Sequence, residues 1–197
     1  KHNRTILRVD YGTTKLISKL NVFLEFALSE EIRIHGGLLE VFGMGILIIG
    51  KSSIGKSETA LELIARGHRL VADDAVDIRK IDNKLYGESP ENIRHFLEIR
   101  GLGILDIQRL YGVGAVKKST EIDFVIELEN WIDNKEYDRL GLDDKYKSIL
   151  GLELPYIVIP VKPGRNIALI VEVAARNMRQ KMYGYNAAEE LNKRIME

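Results

Sequence analysis

The chain of 197 residues contains no cysteine, a single tryptophan and four histidines. The lack of cysteine excludes a disulfide scaffold, a thiol nucleophile and a cysteine-ligated zinc site. The histidines, at positions 2, 35, 68 and 95, are too widely separated to form a recognisable zinc motif. Any chemistry in this chain must therefore come mainly from hydroxyl, carboxylate, amine and guanidinium groups.

The sequence also lacks an excess of charge and a long apolar run. Lys+Arg and Asp+Glu both number 29, so the formal net charge is zero, which argues against nucleic-acid binding through bulk charge. No apolar stretch reaches the ~18 residues needed to cross a bilayer, and no signal-peptide core follows the first residues. We expect a cytoplasmic protein with neither a membrane nor a nucleic-acid partner.

The most specific motif lies at residues 50–57, which fit the phosphate-binding pattern G-x-x-x-x-G-K-[ST]. An apolar run at 46–49 predicts a buried strand before it, and residues 58–66 predict a helix after it. Free backbone N–H groups and the helix dipole would together face a phosphate chain. The predicted nucleotide-binding residues are Gly50, Lys51, Ser52, Ser53, Ile54, Gly55, Lys56 and Ser57. Lys56 would reach the β- and γ-phosphates, and the Ser57 hydroxyl would bind Mg²⁺.

The hydrophobic pattern predicts a three-layer α/β domain with a mixed sheet, because hairpins lie among the crossovers. Residues 1–30 are interpreted as the tail or linker of a preceding domain, and residues 31–197 as the catalytic domain. The predicted strands cover 38–42, 46–49, 69–72, 122–128 and 156–161, with a hairpin at 76–81 and 84–86. The predicted helices cover 14–29, 58–66, 167–182 and 187–195, with a short helix from Ser89 to His95 or Phe96.

Two adjacent carboxylates, Asp73 and Asp74, follow the predicted strand at 69–72. In open α/β sheets, ligands bind beyond the carboxyl ends of strands, so this pair would lie near the terminal phosphate. One carboxylate could hold Mg²⁺ while the other accepts a proton from an incoming hydroxyl, with Asp74 favoured as the acceptor. The alternative is an ordinary solvated turn.

Other candidates are weaker when taken alone. Glu98, beside the Gly101–Gly103 turn, could ligate a metal through oxygen, or it could form an exposed ion pair with Arg100. His35 could stabilise phosphate charge or relay a proton, or it could be an ordinary core or surface histidine. The turn of Lys162, Gly164 and Arg165 could bind an anion at a helix start, or it could be a solvated basic turn. Arg139 carries no signal by itself.

Several blocks in order resemble the catalytic domain of bacterial HPr kinase/phosphorylase. The blocks are GKSETALEL (55–63), RGHRLVADD (66–74), LEIRGLGILD (97–106) and PVKPGRN (160–166). The resemblance runs from about Thr14 to the last helix. It implies a fold related to the phosphoenolpyruvate carboxykinase-like nucleotide-binding fold.

The resemblance also implies a bifunctional enzyme. It would phosphorylate a serine of the phosphocarrier protein HPr with ATP or pyrophosphate. It would remove that phosphate with inorganic phosphate as acceptor and pyrophosphate as product, in the control of carbon catabolite repression. The resemblance further implies a homohexamer with allosteric control.

Residue by residue, the resemblance assigns His35, Lys56, Asp73, Asp74 and Arg139 to the active site and Ser57 and Glu98 to Mg²⁺. The segment 97–106, which includes Arg100, would serve both reactions, and the segment 160–165 would serve dephosphorylation. The family loop usually reads G-x-x-G-x-G-K-S, and here Ser53 replaces the middle glycine. A serine would strain the loop, and weaken nucleotide affinity, if that position requires a positive φ.

Two other functions are compatible with the phosphate-binding motif. One is a kinase that acts on a small metabolite, which would need a substrate pocket and often a mobile lid. The other is a nucleotide-dependent regulatory module with little catalysis. The destination of a labelled phosphate from ATP would distinguish these two from a protein kinase.

Overall fold

The computed structural model describes residues 8–133, 135, 137 and 145–196. The helices are α1 (Thr13–Leu28), α2 (Lys56–Ala65), α3 (Ile107–Tyr111), α4 (Ile167–Met182) and α5 (Ala187–Met196). The strands are β1 (Glu31–His35), β2 (Gly37–Val41), β3 (Met44–Gly50), β4 (Arg69–Ala72), β5 (Ala75–Ile81), β6 (Lys84–Glu88), β7 (Phe96–Ile99), β8 (Gly103–Asp106), β9 (Ser119–Glu121), β10 (Phe124–Asn130), β11 (Lys145–Ile149) and β12 (Leu152–Val161).

The predicted α/β fold with a mixed sheet is confirmed. Six strands form the central sheet in the order β11-β12-β10-β3-β2-β4. Strand β10 runs parallel to both β3 and β12, while the other pairs of neighbours are antiparallel. Strand β3 is almost fully buried, as its uninterrupted apolar sequence requires for a strand covered on both faces.

Alternating side chains of the central strands supply two hydrophobic cores. On one face, Ile46 and Ile48 of β3 pack in a cluster with Leu63 of α2 and Val171 of α4. On the other face, Leu47 lies in a cluster with residues of a second sheet, whose strand order is β1-β5-β6-β9. The three layers are therefore helices, the central sheet and the second sheet, and the predicted 76–86 hairpin belongs to the second sheet.

The order of three central strands determines where the phosphate-binding loop and the aspartate pair lie. Strands β3 and β4 both pair with β2, and each is antiparallel to it. They consequently run in the same direction, and their carboxyl ends meet at one edge of the sheet. The loop that leaves β3 and the aspartates that follow β4 are thus brought to the same place.

The helix predicted from Ser89 to His95 or Phe96 is wrong. Only Glu91–Ile93 form a single turn of 3₁₀ helix, and the chain then enters β7. Ser89 and Pro90 do begin a turn, but Leu97 and Ile99 are buried in the core cluster that includes α2. Burying these two alternate side chains requires an extended chain from Phe96 to Ile99, and the helix-start signal ahead of that strand yields only the single 3₁₀ turn.

Helix α1 forms where the sequence predicts it, but its apolar face is largely uncovered in the isolated chain. Phe23 is 63% exposed and Leu28 is 79% exposed. Strand β1, which the sequence did not predict, follows directly and pairs with β5. No helix among the described residues is both long enough and apolar enough to cross a membrane.

Candidate active site

A cleft opens at the carboxyl ends of β3 and β4, beside the start of α2. Its lining residues are His35, Ser52, Ser53, Gly55, Lys56, Ser57, Glu58, Asp73, Asp74, Glu98 and Arg100. The cleft thus gathers four segments that are distant in sequence: the end of β1, the phosphate-binding loop, the end of β4 and the β7–β8 hairpin. It brings Lys56, Asp73 and Asp74 into the lining of one cleft.

The loop between β3 and α2 has the backbone that a phosphate cradle needs. Gly50 has a φ of 147°, and a Cβ at this position would lie 2.6 Å from the carbonyl oxygen of Leu128. Only glycine therefore fits there, where the loop leaves the sheet. Gly55, with a φ of 100°, precedes the first turn of α2, whose backbone N–H groups point toward the cleft.

Lys56 is buried, with 8% of its surface exposed. Its Nζ donates to the carbonyl oxygens of Gly50 and Lys51, each at 3.1 Å. These contacts hold the ammonium group within the curve of the loop. An ammonium in that position can attract the oxygens of a phosphate chain that binds the surrounding amides.

Ser53 is the residue that replaces the usual glycine, and it has a φ of 67°. This left-handed conformation costs a non-glycine residue about 1–2 kcal/mol. Position 53 thus has the positive φ at which a serine was expected to strain the loop. The Ser53 hydroxyl accepts a hydrogen bond from Arg100 Nη2 at 2.7 Å.

The two aspartates occupy different environments. Asp73 is 5% exposed, and its carboxylate accepts hydrogen bonds from the Ser57 hydroxyl at 2.9 and 3.1 Å. Burial raises the pKa of the Asp73 carboxyl, while the Ser57 hydroxyl and the backbone N–H groups of Glu98 and Asp74 oppose that rise. Asp73 thus ties the start of α2 to β7.

Asp74 faces the opening of the cleft. Its side chain is 75% exposed, and its φ of 66° turns the chain between β4 and β5. His35 Nδ1 lies 3.1 Å from Asp74 Oδ1 and 2.9 Å from the Asp74 carbonyl oxygen. His35 is the last residue of β1, not a residue ahead of the first strand, and β1–β5 pairing places it beside Asp74. An exposed carboxylate held by a histidine can meet an incoming hydroxyl group.

Three oxygen-bearing side chains in the cleft fit a magnesium ion. Ser57, Asp73 and Glu98 all line the cleft, and the Ser57 hydroxyl donates to the Asp73 carboxylate. The described His, Asp and Glu residues form no group of three able to hold a metal by themselves. Mg²⁺ does not require such a group, because it usually keeps waters and binds through one or two carboxylates plus substrate phosphates.

Not every predicted site residue lies at the cleft. Lys162 and Arg165 are on the turn between β12 and α4, where Lys162 Nζ lies 5.0 Å from the ring centre of Trp131. Arg165 Nη1 donates to the Pro160 carbonyl at 2.8 Å. These two residues and Gly164 do not line the cleft, and Arg139 lies outside the described residues.

The structure adds one lining residue that the sequence reasoning omitted. Glu58 directly follows Ser57 in the first turn of α2 and lines the cleft. Its position next to the phosphate-binding motif was the available signal. Ile54, which was predicted to bind the nucleotide, instead points into the core with 8% of its surface exposed, so only its backbone can contribute to the cradle.

The burial of Asp73 leads to a stability prediction for the variant Asp73→Asn. The raised pKa of Asp73 means that the charged carboxylate lowers the free energy of unfolding. This loss of stability is complete at neutral pH, and it is absent below the pKa of the unfolded state, where the carboxyl is protonated in both states. Without Mg²⁺, Asp73→Asn should melt at a higher temperature than the wild type at pH 7, because asparagine carries no charge whose burial costs free energy. The gain should vanish near pH 3. A lower melting temperature for Asp73→Asn at pH 7 would contradict the conclusion that the buried charge of Asp73 destabilises the fold.

The fold and the cleft define a P-loop nucleotide-binding domain of the α/β class. Comparison with known proteins then identifies the family. Residues 26–195 match the family model described as the HPr Serine kinase C-terminal domain, and the chain belongs to that family.

Individual relatives agree with this assignment. The chain is 59% identical over 197 residues to an HPr kinase/phosphorylase of Caldanaerobacter subterraneus subsp. tengcongensis and 60% identical to one of Thermoanaerobacter sp.. It spans 65% of the length of each of these two relatives. Among solved structures, the Hpr(Ser) kinase/phosphatase from Coxiella burnetii superposes with a TM-score of 0.72 at 37% identity, covering 81% of this chain and 98% of that one.

Proposed function

We propose that this chain is the catalytic domain of a bifunctional enzyme that phosphorylates a serine of HPr and removes that phosphate by phosphorolysis. The observation that carries the proposal is the placement of Lys56 and Asp74 in one cleft, within a chain 59% identical to an HPr kinase/phosphorylase. In this proposal residues 31–197 form the catalytic domain, and residues 1–30 are the tail or linker of a preceding domain.

In the forward reaction, the phosphate chain of ATP or pyrophosphate lies against the amides of residues 50–55. Lys56 neutralises charge on the transferred group. The seryl hydroxyl of HPr enters from the open side, and Asp74 accepts its proton as the oxygen attacks phosphorus. The new P–O bond forms as the bond to the bridging oxygen breaks, and the departing product is ADP or inorganic phosphate.

The reverse reaction uses the same groups. Asp74, now protonated, returns its proton to the departing serine oxygen while inorganic phosphate attacks the phosphoryl group, which yields pyrophosphate. His35 keeps the Asp74 carboxylate oriented through its contact at 3.1 Å. Ser57, Asp73 and Glu98 would hold Mg²⁺, which would neutralise phosphate charge. The Pro160–Arg165 turn serves dephosphorylation, and Arg139 completes the active site.

Exposed apolar side chains beside the cleft favour a protein substrate over a small metabolite. The β7–β8 hairpin supplies Glu98 and Arg100 to the lining, and close to its turn Leu102 and Ile104 are 71% and 73% exposed. Exposed apolar side chains beside a cleft are typical of a surface that docks another protein.

The proposal also includes a homohexamer, allosteric control and a role in carbon catabolite repression. The uncovered apolar residues of α1 support association with other subunits.

One assay separates the candidate functions. The chain is mixed with ATP labelled at the γ-phosphate, Mg²⁺ and purified HPr, with HPr lacking its target serine as the control. We expect label on HPr and none on the control. Label on a small molecule would instead indicate a metabolite kinase, and bound but intact ATP a regulatory module.

A second reaction tests phosphorolysis. Phosphorylated HPr and inorganic phosphate should yield pyrophosphate in amounts equal to the HPr dephosphorylated. Release of inorganic phosphate alone would indicate hydrolysis and would contradict this part of the proposal.

A further inference from the structure

The hydrogen bond between Arg100 and Ser53 connects two segments of the cleft that are 47 residues apart. Arg100 extends from the turn of the β7–β8 hairpin, and Ser53 lies in the middle of the phosphate-binding loop. Both residues line the cleft. Among the described residues, the Ser53 hydroxyl is the hydrogen-bond partner that the structure gives to the Arg100 guanidinium.

The chemistry of this contact favours phosphate binding. A guanidinium carries five N–H donors in a rigid fork, and the Ser53 hydroxyl occupies one nitrogen, Nη2, of that fork. Within the part of the chain that the structure describes, the remaining donors have no acceptor, so another acceptor can bind them. A long, exposed arginine that is already fixed over a phosphate cradle loses less side-chain freedom when an anion binds.

Ser53 itself has an unfavourable backbone conformation, since its φ of 67° would suit glycine. A glycine at this position would provide no hydroxyl group for Arg100. The serine therefore adopts an unfavourable backbone conformation but gains a hydrogen bond across the cleft. Strain of this kind persists where the surrounding structure supports it, often at ligand-binding loops.

We propose that Ser53 is a positioning residue that holds Arg100 over the loop, and that Arg100 so held binds the terminal phosphate of ATP or pyrophosphate. This inference rests on the proposed function, because it takes a phosphate chain as the ligand of the cleft. It assigns to the serine a role in ligand affinity that a glycine in the loop cannot fill.

The test measures pyrophosphate binding by calorimetry in the presence of Mg²⁺, together with thermal melting of the free protein. Ser53→Gly should weaken binding about 2- to 10-fold, the range that one hydrogen bond supplies. Its melting temperature should stay the same or rise, because glycine relieves the left-handed strain. A purely structural role for the serine would move affinity and stability in the same direction.

Two further variants sharpen the test. Ser53→Asn tolerates a positive φ and keeps an acceptor for Arg100, so it should bind pyrophosphate within about twofold of the wild type. Arg100→Ala should weaken binding at least as much as Ser53→Gly, and combining the two should add no further loss, since they remove one interaction.

The outcomes distinguish this inference from the proposed function. Binding by Ser53→Gly that equals or exceeds the wild type would overturn the positioning role while leaving the proposed function intact. Additive losses in the double variant would also overturn it, since Ser53 would then act without Arg100. Failure of the wild type and all variants to bind pyrophosphate or ATP would overturn both.

Discussion

Replacement of Lys56 by alanine should abolish both phosphorylation of HPr and the phosphorolytic reaction, with a loss of about 10²–10³-fold or more in rate. The Lys56 ammonium is held within the loop by the carbonyls of Gly50 and Lys51, where the transferred phosphate gathers negative charge. No other lysine of the described chain lines the cleft. The measurement is the rate of label transfer to HPr and, separately, of pyrophosphate formation.

Lys51→Ala is the matched control. Lys51 lies in the same loop, but its side chain is exposed and does not line the cleft, while its backbone is unchanged by the substitution. We expect this variant to keep most of the activity. A melting curve for Lys56→Ala establishes that the variant folds. Normal turnover by folded Lys56→Ala would refute the role of the loop in holding the phosphates.

The second large effect is expected at Asp74. Asp74→Asn should lower the transfer rate about 10²–10⁴-fold, the usual contribution of a general base, while pyrophosphate binding remains close to the wild type. Asparagine has the same shape and tolerates the φ of 66° at this position. Because the side chain is 75% exposed, the fold should be unaffected. Rates are measured at saturating substrate, and affinity is measured by calorimetry.

The two aspartates serve as each other's control. Asp73 is buried against Ser57, so it is placed to act on the phosphate and metal side, away from an incoming hydroxyl. If Asp74→Asn keeps its activity while Asp73→Asn loses proton transfer but not nucleotide binding, the roles are reversed. If neither substitution slows the reaction, general-base catalysis by this pair is refuted.

The sequence predicted the parts of the site that depend on local pattern. Strand β3, the glycine loop and α2 form one continuous segment, so the motif at residues 50–57 located them together. The aspartate pair was placed correctly at a strand end. The difference between buried Asp73 and exposed Asp74 was not predictable, because it arises from the turn at Asp74 and from β1 and β7 packing around it.

The other differences between the predicted and the observed elements also arise from contacts between residues that are distant in sequence. The Ser89–Pro90 signal predicts a helix, but only one 3₁₀ turn forms before the chain extends into β7, where Leu97 and Ile99 are buried. Strand β1 was missed because it alternates over only five residues and depends on β5 for its partner. The contact of Arg100 with Ser53 could not be inferred, since nothing in the sequence relates residues 47 apart.

The most direct test of the account is a crystal structure of this chain with pyrophosphate and Mg²⁺. We expect phosphate oxygens within about 3 Å of Lys56 Nζ and of the backbone N–H groups of the loop, with the Asp74 carboxylate facing the exposed terminal phosphate. Pyrophosphate bound away from Lys56, for example at the turn of Lys162 and Arg165, would contradict the account.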